Sequence, residues 1–190
     1  MLQFTPIDEQ YAPLLRKYYS QCTYRRCECS LGVKRMWKDH WKPEFAESHG
    51  CLVILNHSAH YGAMFDFPIP LPGEGDVDAA LDDIDEWCVE KGVPPSFGVV
   101  PEDERERLMK RYPYTTVDSD RLWQDYFYTA ESLSAFAGRH YSGQRNHINK
   151  FRKLYPNAVY RELTETDRDA VDAFWHEFHK VFNKEDADAK

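Results

Sequence analysis

The chain has 190 residues, 42% hydrophobic and 15% aromatic, with a formal net charge of −8. That length suits one domain with a real core, or two small ones sharing an interface, and the apolar content excludes a disordered chain. An acidic balance of this size argues against general coating of nucleic acid.

The longest unbroken apolar run is Cys51-Leu52-Val53-Ile54-Leu55, far too short to span a bilayer. The start, MLQFTPIDEQ, shows neither a basic n-region nor an apolar h-region. The expectation is a soluble, cytoplasmic protein without a transmembrane segment. Cysteines 22, 27, 29, 51 and 88 follow no disulfide framework, so free thiols are expected. Zinc at Cys22, Cys27 and Cys29 is the alternative, but no downstream CxxC pair completes a site.

In chain order, Asp8 is a candidate N-cap, and Tyr11, Leu14, Leu15 and Tyr18 then recur at helical spacing. Residues 27–33, 51–55 and 60–67 read as strands, the last ending at Pro68, and PIPLPGEGD reads as a loop. Val77, Leu81, Ile84 and Cys88 line one face of a helix stopped by Gly92. The acids on its other faces, Asp78 to Glu90, read as a solvated surface. Ser96–Val100 reads as a buried strand, and Pro101 opens a short helix with acids first and bases last, as the helix dipole prefers. Strands are expected near 114–117, 123–128 and 158–163. The last helix begins at Thr164-Glu165-Thr166-Asp167, a capping-box-like start, and carries Val171, Phe174, Trp175 and Phe178 on one face. A polar tail, 183–190, follows. The fold class is therefore α/β (α+β), a mixed sheet flanked by helices.

Charge is segregated. From Ser132 to Arg161 there are Arg139, Arg145, Lys150, Arg152, Lys153 and Arg161 but no Asp or Glu, so all 32 acids lie elsewhere. A helix from about Ser142 would place Ile148, Phe151 and Tyr155 on one face and Arg145, Asn146, Asn149, Lys150, Arg152 and Lys153 across from them. Its glycine- and serine-rich start, with Arg145 beside it, would suit an anion. A solvated amphipathic helix is the plainer alternative. On a strand, Asp125 and Phe127 would face one side and Tyr126 and Tyr128 the other, with Asp125 placed to orient Arg145 or act as a base. His57 and His60 lack a third ligand, and His176-Glu177-Phe178-His179 falls one residue short of HExxH. P-loop, Rossmann and GxSxG motifs are missing, as is a clear pyrophosphate loop for acetyl-CoA, so no cofactor is expected.

The pattern FTPID near the start, Asp125-Tyr126-Phe127-Tyr128, Leu133 and GRHYSGQRNHINKFRKLYP resembles the phosphatidylglycerol lysyltransferase C-terminal-like family. Its signature falls on Gln144, Arg145, Asn146, His147, Ile148, Phe151, Tyr155 and Pro156, with Gln144 where the family commonly has a base. The resemblance implies a GNAT-like fold, tandem units in longer members, and transfer of an aminoacyl group from charged tRNA to a lipid or similar acceptor. It implies a first unit over 1–160, with 161–190 opening a second. A weak echo between Thr5-Pro6-Ile7-Asp8-Glu9 and Arg161-Glu162-Leu163-Thr164-Glu165 agrees with that division. On this reading Arg139, Arg145, Asn146, His147 and Lys150 bind a phosphate-bearing donor, aminoacyl-tRNA or acyl-CoA. Asp125 and Tyr126 then position the acceptor amine. Two other readings stand beside it: a non-catalytic module binding an anion, a nucleic acid or a partner, and a homo-oligomer joined through Phe174, Trp175, Phe178 and Phe182.

Overall fold

The computed structural model describes residues 2–24, 26–98, 100–119, 121 and 124–188, with side chains through Val181. The chain folds as two compact units, Met1–Tyr126 and Phe127–Lys190. The fold is mixed α/β, with eight α-helices and a five-stranded sheet among the described residues.

The sheet belongs to the first unit. Its strands are β1 (Thr5–Pro6), β2 (Glu44–Ser48), β3 (Cys51–Ser58), β4 (Gly62–Phe65) and β5 (Ile69–Pro70). The order is β1-β2-β3-β4, β5 also pairs with β3, and every strand pair is antiparallel. β2 and β3 form a hairpin whose two turn residues, His49 and Gly50, have φ of 46° and 71°. This is the left-handed pair that matches strand twist. Gly50 is also required by space, since a Cβ there would lie 2.5 Å from the Glu74 carbonyl oxygen. The 71–76 loop docks on that tip, with the amides of Leu71 and Asp76 donating to the Gly50 and His49 carbonyls at 2.9 and 2.8 Å.

Cys51 through Leu55 are buried throughout, and the period-two alternation of a strand divides them between two cores. Cys51, Val53 and Leu55 meet α4 (Val77–Lys91) through Ala80, Leu81, Ile84 and Cys88. Leu52 and Ile54 meet α1 (Ala12–Tyr19) through Leu15 and Tyr18. α4 starts where the Asp76 carboxylate accepts from the Ala79 amide at 3.1 Å and ends at left-handed Gly92. Asp8 accepts from the Glu9 amide at 2.6 Å and opens a 3-10 turn into α1.

Some expected strands are absent. Residues 27–33 form a turn and then α2 (Leu31–Met36), followed by α3 (Lys38–Trp41). Helix α2 brings Lys34 to Asp66 at 2.5 Å, with side chains only 7% and 6% exposed. Ser96–Val100 contributes one bridge, in which the Phe65 amide donates to Ser96 and the Gly98 amide to Phe65, each at 2.8 Å; Val99 lies outside the described residues. Residues 114–117, 124–128 and 158–163 have strand-like composition but no ladder to join; Trp123 lies outside the described residues. Strand propensity without a partner does not make a strand.

The acidic faces of α4 are also more than a solvated surface. Arg111, at the end of α5 (Arg105–Arg111), reaches Asp82 and Asp85 at 2.6 and 2.5 Å, and Arg107 reaches Asp78 at 3.1 Å. The Tyr112 hydroxyl adds a 2.7 Å bond to Asp85.

Truncating Ile54 to alanine opens a cavity on the α1 face and is expected to cost roughly 2–5 kcal/mol, read from urea midpoints. Asp66 accepts from Asn56 at 2.8 Å as well as meeting Lys34. Lys34→Met strands that carboxylate in the core and should cost about 3–5 kcal/mol, whereas Lys34→Met with Asp66→Leu should cost less than the single change. Equal losses in the two variants would show that the stranded charge is not the cause.

Candidate functional site

The basic segment lies in the second unit. α6 (Ala130–Ala135) is capped by Thr129, whose hydroxyl accepts from the Ser132 amide at 3.1 Å. The chain then turns back through left-handed Phe136 and Gly138, passes a 3-10 turn at Arg139–Tyr141, and enters α7 (Ser142–Leu154). The Ser132 and Tyr141 hydroxyls bond at 2.5 Å and join α6 to the start of α7. The helix expected from Ser142 is therefore present.

Arg145 aims Nη1 at the carbonyls of Phe136 and of Gly138, the latter at 2.7 Å. Neutral carbonyls fix a guanidinium without cancelling its charge. Arg139, Asn146, His147 and Lys150 are exposed around it on α7 and the turn before it. Among the described residues, Arg161 is the member of the basic set that meets a carboxylate, holding Asp167 at 2.7 and 2.5 Å. The Thr164 amide donates to the same carboxylate at 2.8 Å, closing the box that opens a 3-10 turn into α8 (Arg168–Asp188). α8 thus runs through much of the stretch read as a polar tail.

Five of the eight signature residues share a surface. His147, Ile148, Phe151, Tyr155 and Pro156 line a groove of about 500 Å³, with Arg152 on its wall. Phe151 and Tyr155 pack with ring centroids 5.1 Å apart and planes tilted by 42°. Sequence reasoning placed His147 among the binding residues and set Arg152 on the arc opposite Ile148, Phe151 and Tyr155; the groove instead brings Arg152 together with all three, where Pro156, Ala158 and Tyr160 return beside α7.

Asp125 and Tyr126 close the first unit, whereas Arg139 through Lys150 belong to the second. Asp125 is not on a strand; its Oδ2 accepts from the Cys27 amide at 2.9 Å. Cys27 Sγ and the carboxylates of Glu28 and Asp125 lie within 4.8 Å of one another, a possible set of metal donors by type. Desolvation and the hydrogen bond to Asp125 push the Cys27 thiol up to about 12, so a metal would have to displace a firmly held proton. Nothing local in the sequence links residues 27 and 125. His57 meets Glu44 at 2.6 Å, and His179 packs edge-on against Trp175 at 4.4 Å. Phe174, Trp175 and Phe178 on α8 are exposed, and the side chain of Phe182 lies outside the described residues.

The Arg161 bond, with the Thr164 amide, holds the Asp167 carboxyl well below the usual carboxylate range. A lowered value favours the box above the ordinary carboxylate range and loses it only as pH falls through the lowered one. Carbon NMR should therefore show Asp167 ionised after the exposed acids have protonated, and Arg161→Gln should return it toward them.

The description "phosphatidylglycerol lysyltransferase, C-terminal" matches this chain over residues 20–188. No curated protein matches it. The crystal structure of a conserved protein of unknown function from Bacteroides thetaiotaomicron VPI-5482 superposes with a TM-score of 0.82 at 24% identity. That likeness covers 97% of this chain and 62% of the other, so this chain spans under two thirds of that protein's length. At this identity it supports the fold alone. With the match over 20–188 taking in both the signature groove and the Asp125 end of the first unit, the chain belongs to the phosphatidylglycerol lysyltransferase C-terminal family.

Proposed function

We propose that the chain is a GNAT-like acyl- or aminoacyl-transferase-type domain that binds a phosphate-bearing donor, aminoacyl-tRNA or acyl-CoA, along α7. The observation that carries the reading is the groove: five signature residues of the family line it, and basic Arg152 forms its wall. Arg145 supplies an oriented cation, while Arg139, Asn146, His147 and Lys150 offer exposed donors near it. In this reading Asp125 and Tyr126 position the acceptor amine. The transfer needs no metal-bound nucleophile: an amine attacks an activated ester carbonyl, and oriented donors stabilise the oxyanion that develops. The domain's setting in this reading is cytoplasmic.

A second reading, a non-catalytic module that binds an anion, a nucleic acid or a partner, is favoured by the surface character of α7, which buries none of its side chains. Binding without turnover would select it.

The test compares wild type with Arg145→Ala plus Lys150→Ala for binding of aminoacyl-tRNA, uncharged tRNA and acyl-CoA. The double variant should lose at least about tenfold in affinity, as removal of two charged contacts predicts. Its log–log salt slope for tRNA should flatten by about 1.5. Saturable binding that the double change leaves intact would move the donor site off α7. The absence of binding to all three would set the transferase reading aside.

A further inference from the structure

The six residues from Arg35 to His40 are all exposed, Met36 to 70% and Trp37 to 50%. Their direction is set from beneath: Lys34 turns inward to Asp66, and α2, held by that buried pair, carries the next residues outward. Trp37 ends α2 and opens α3, which stops at Lys42. Lys42 has a left-handed φ of 42°, a conformation that glycine adopts freely and lysine adopts at a cost. A strained residue kept where glycine would fit calls for a use of its side chain. β2 and β3 are antiparallel, so the start of β2, which α3 feeds, and the tip after β3 lie at one end of the sheet. At that tip the His60 and Tyr61 amides donate to the Ser58 hydroxyl, each at 3.1 Å, and the Tyr61 ring is exposed.

The charge on this end is the reverse of the chain's. Arg35, Lys38 and Lys42 stand against Asp39 in a protein of net charge −8. Arg35 meets Glu9 at 3.5 Å with both side chains exposed, a pair that solvent screens. Among the described residues Lys38 and Lys42 meet no carboxylate. An exposed methionine and tryptophan thus sit beside two lysines whose charges are open to a partner.

We propose that this end of the first unit docks on an anionic lipid bilayer, with Met36 and Trp37 entering the headgroup layer and Lys38 and Lys42 meeting lipid phosphates. An indole there has its ring in apolar surroundings and its N–H among ester carbonyls and water, which is why tryptophan gathers at membrane interfaces. Lysine stems lie along apolar surface while their ammonium groups stay among the headgroups. Anionic lipids supply the complement to those two charges. An unpaired nucleic-acid strand fits less well. Base stacking needs open ring faces, whereas Trp37, His40 and Trp41 pack edge to face, with successive centroids 6.1 and 4.8 Å apart. Met36 would gain nothing against phosphate. The contact is peripheral, since no described helix is long and apolar enough to cross a membrane. This surface belongs to the first unit, whereas the α7 groove belongs to the second.

The full chain should sediment with vesicles of mixed phosphatidylcholine and phosphatidylglycerol, and at least about tenfold less with phosphatidylcholine alone. Brominated acyl chains in the mixed vesicles should quench part of its tryptophan fluorescence. Lys38→Glu with Lys42→Glu should lower binding at least about tenfold. Met36→Ala with Trp37→Ala should remove most of the quenching; both side chains are exposed, so the cores and the circular dichroism should stay as they are. Arg145→Ala with Lys150→Ala should leave the quenching in place. Binding that is equal for the two vesicle types, or absent, overturns the proposal, as does quenching that survives the Met36 and Trp37 changes. A single-stranded oligonucleotide that binds more tightly than the mixed vesicles, and is lost with those same changes, assigns the surface to nucleic acid and overturns it too.

Discussion

A strand buried on both faces can be held only if each face has its own cover, and β3 imposes that demand on the whole first unit. Its alternating side chains enter two cores, so α1 and α4 are each required, and neither can stand in for the other. The hairpin to β2 and the docked 71–76 loop fix the register in which this happens. A one-residue slip would exchange the two faces and mismatch both helices at once. The ion pair of Lys34 and Asp66 belongs to the same constraint. Asp66 follows β4, its amide donates to the Ile54 carbonyl at 3.0 Å, and its charge is met by a lysine from α2.

The second unit is organised differently. Among its described side chains none is fully buried, and α7 and α8 present aromatic residues outward. Order there comes from local devices: Thr129 at the head of α6, the Ser132–Tyr141 bond, Arg145 on the carbonyls that follow α6, and the box between Thr164, Asp167 and Arg161. Such devices place side chains well without building a core. They are suited to a surface whose residues are selected for what they present rather than for what they bury.

The features legible in the sequence were those whose signal is local. Asp8 and Thr164 announce helix starts, Gly92 a helix end, and the run from Cys51 to Leu55 a buried strand; each is present. The period of α7 and the acid-free segment were equally local, and the family followed from short motifs, FTPID, Asp125-Tyr126-Phe127-Tyr128 and the segment around α7, each readable without tertiary context. The errors came where tertiary context decides. Residues 27–33 alternate like a strand, yet α2 is too short to display a helical period and is held by a lysine whose partner lies 32 positions on. β2 went unread because its alternation, with Glu44 and Glu47 included, carries little hydrophobic contrast. Residues 114–117 and 158–163 are rich in strand formers and lack only a neighbour. Within the candidate site, the Cys27–Asp125 bond spans 98 positions, and the Arg152 wall of the groove depends on how the segment after α7 returns.

The clasp between α4 and α5 has a consequence of its own. α5 buries a single side chain, Leu108, and otherwise rests on partly exposed pairs made by Arg107 and Arg111. Mobile counter-ions weaken such pairs while leaving apolar cores intact or strengthened. Ionic strength therefore separates two kinds of opening in this molecule: concentrated salt loosens α5 from its acidic bed long before β3 loses either cover.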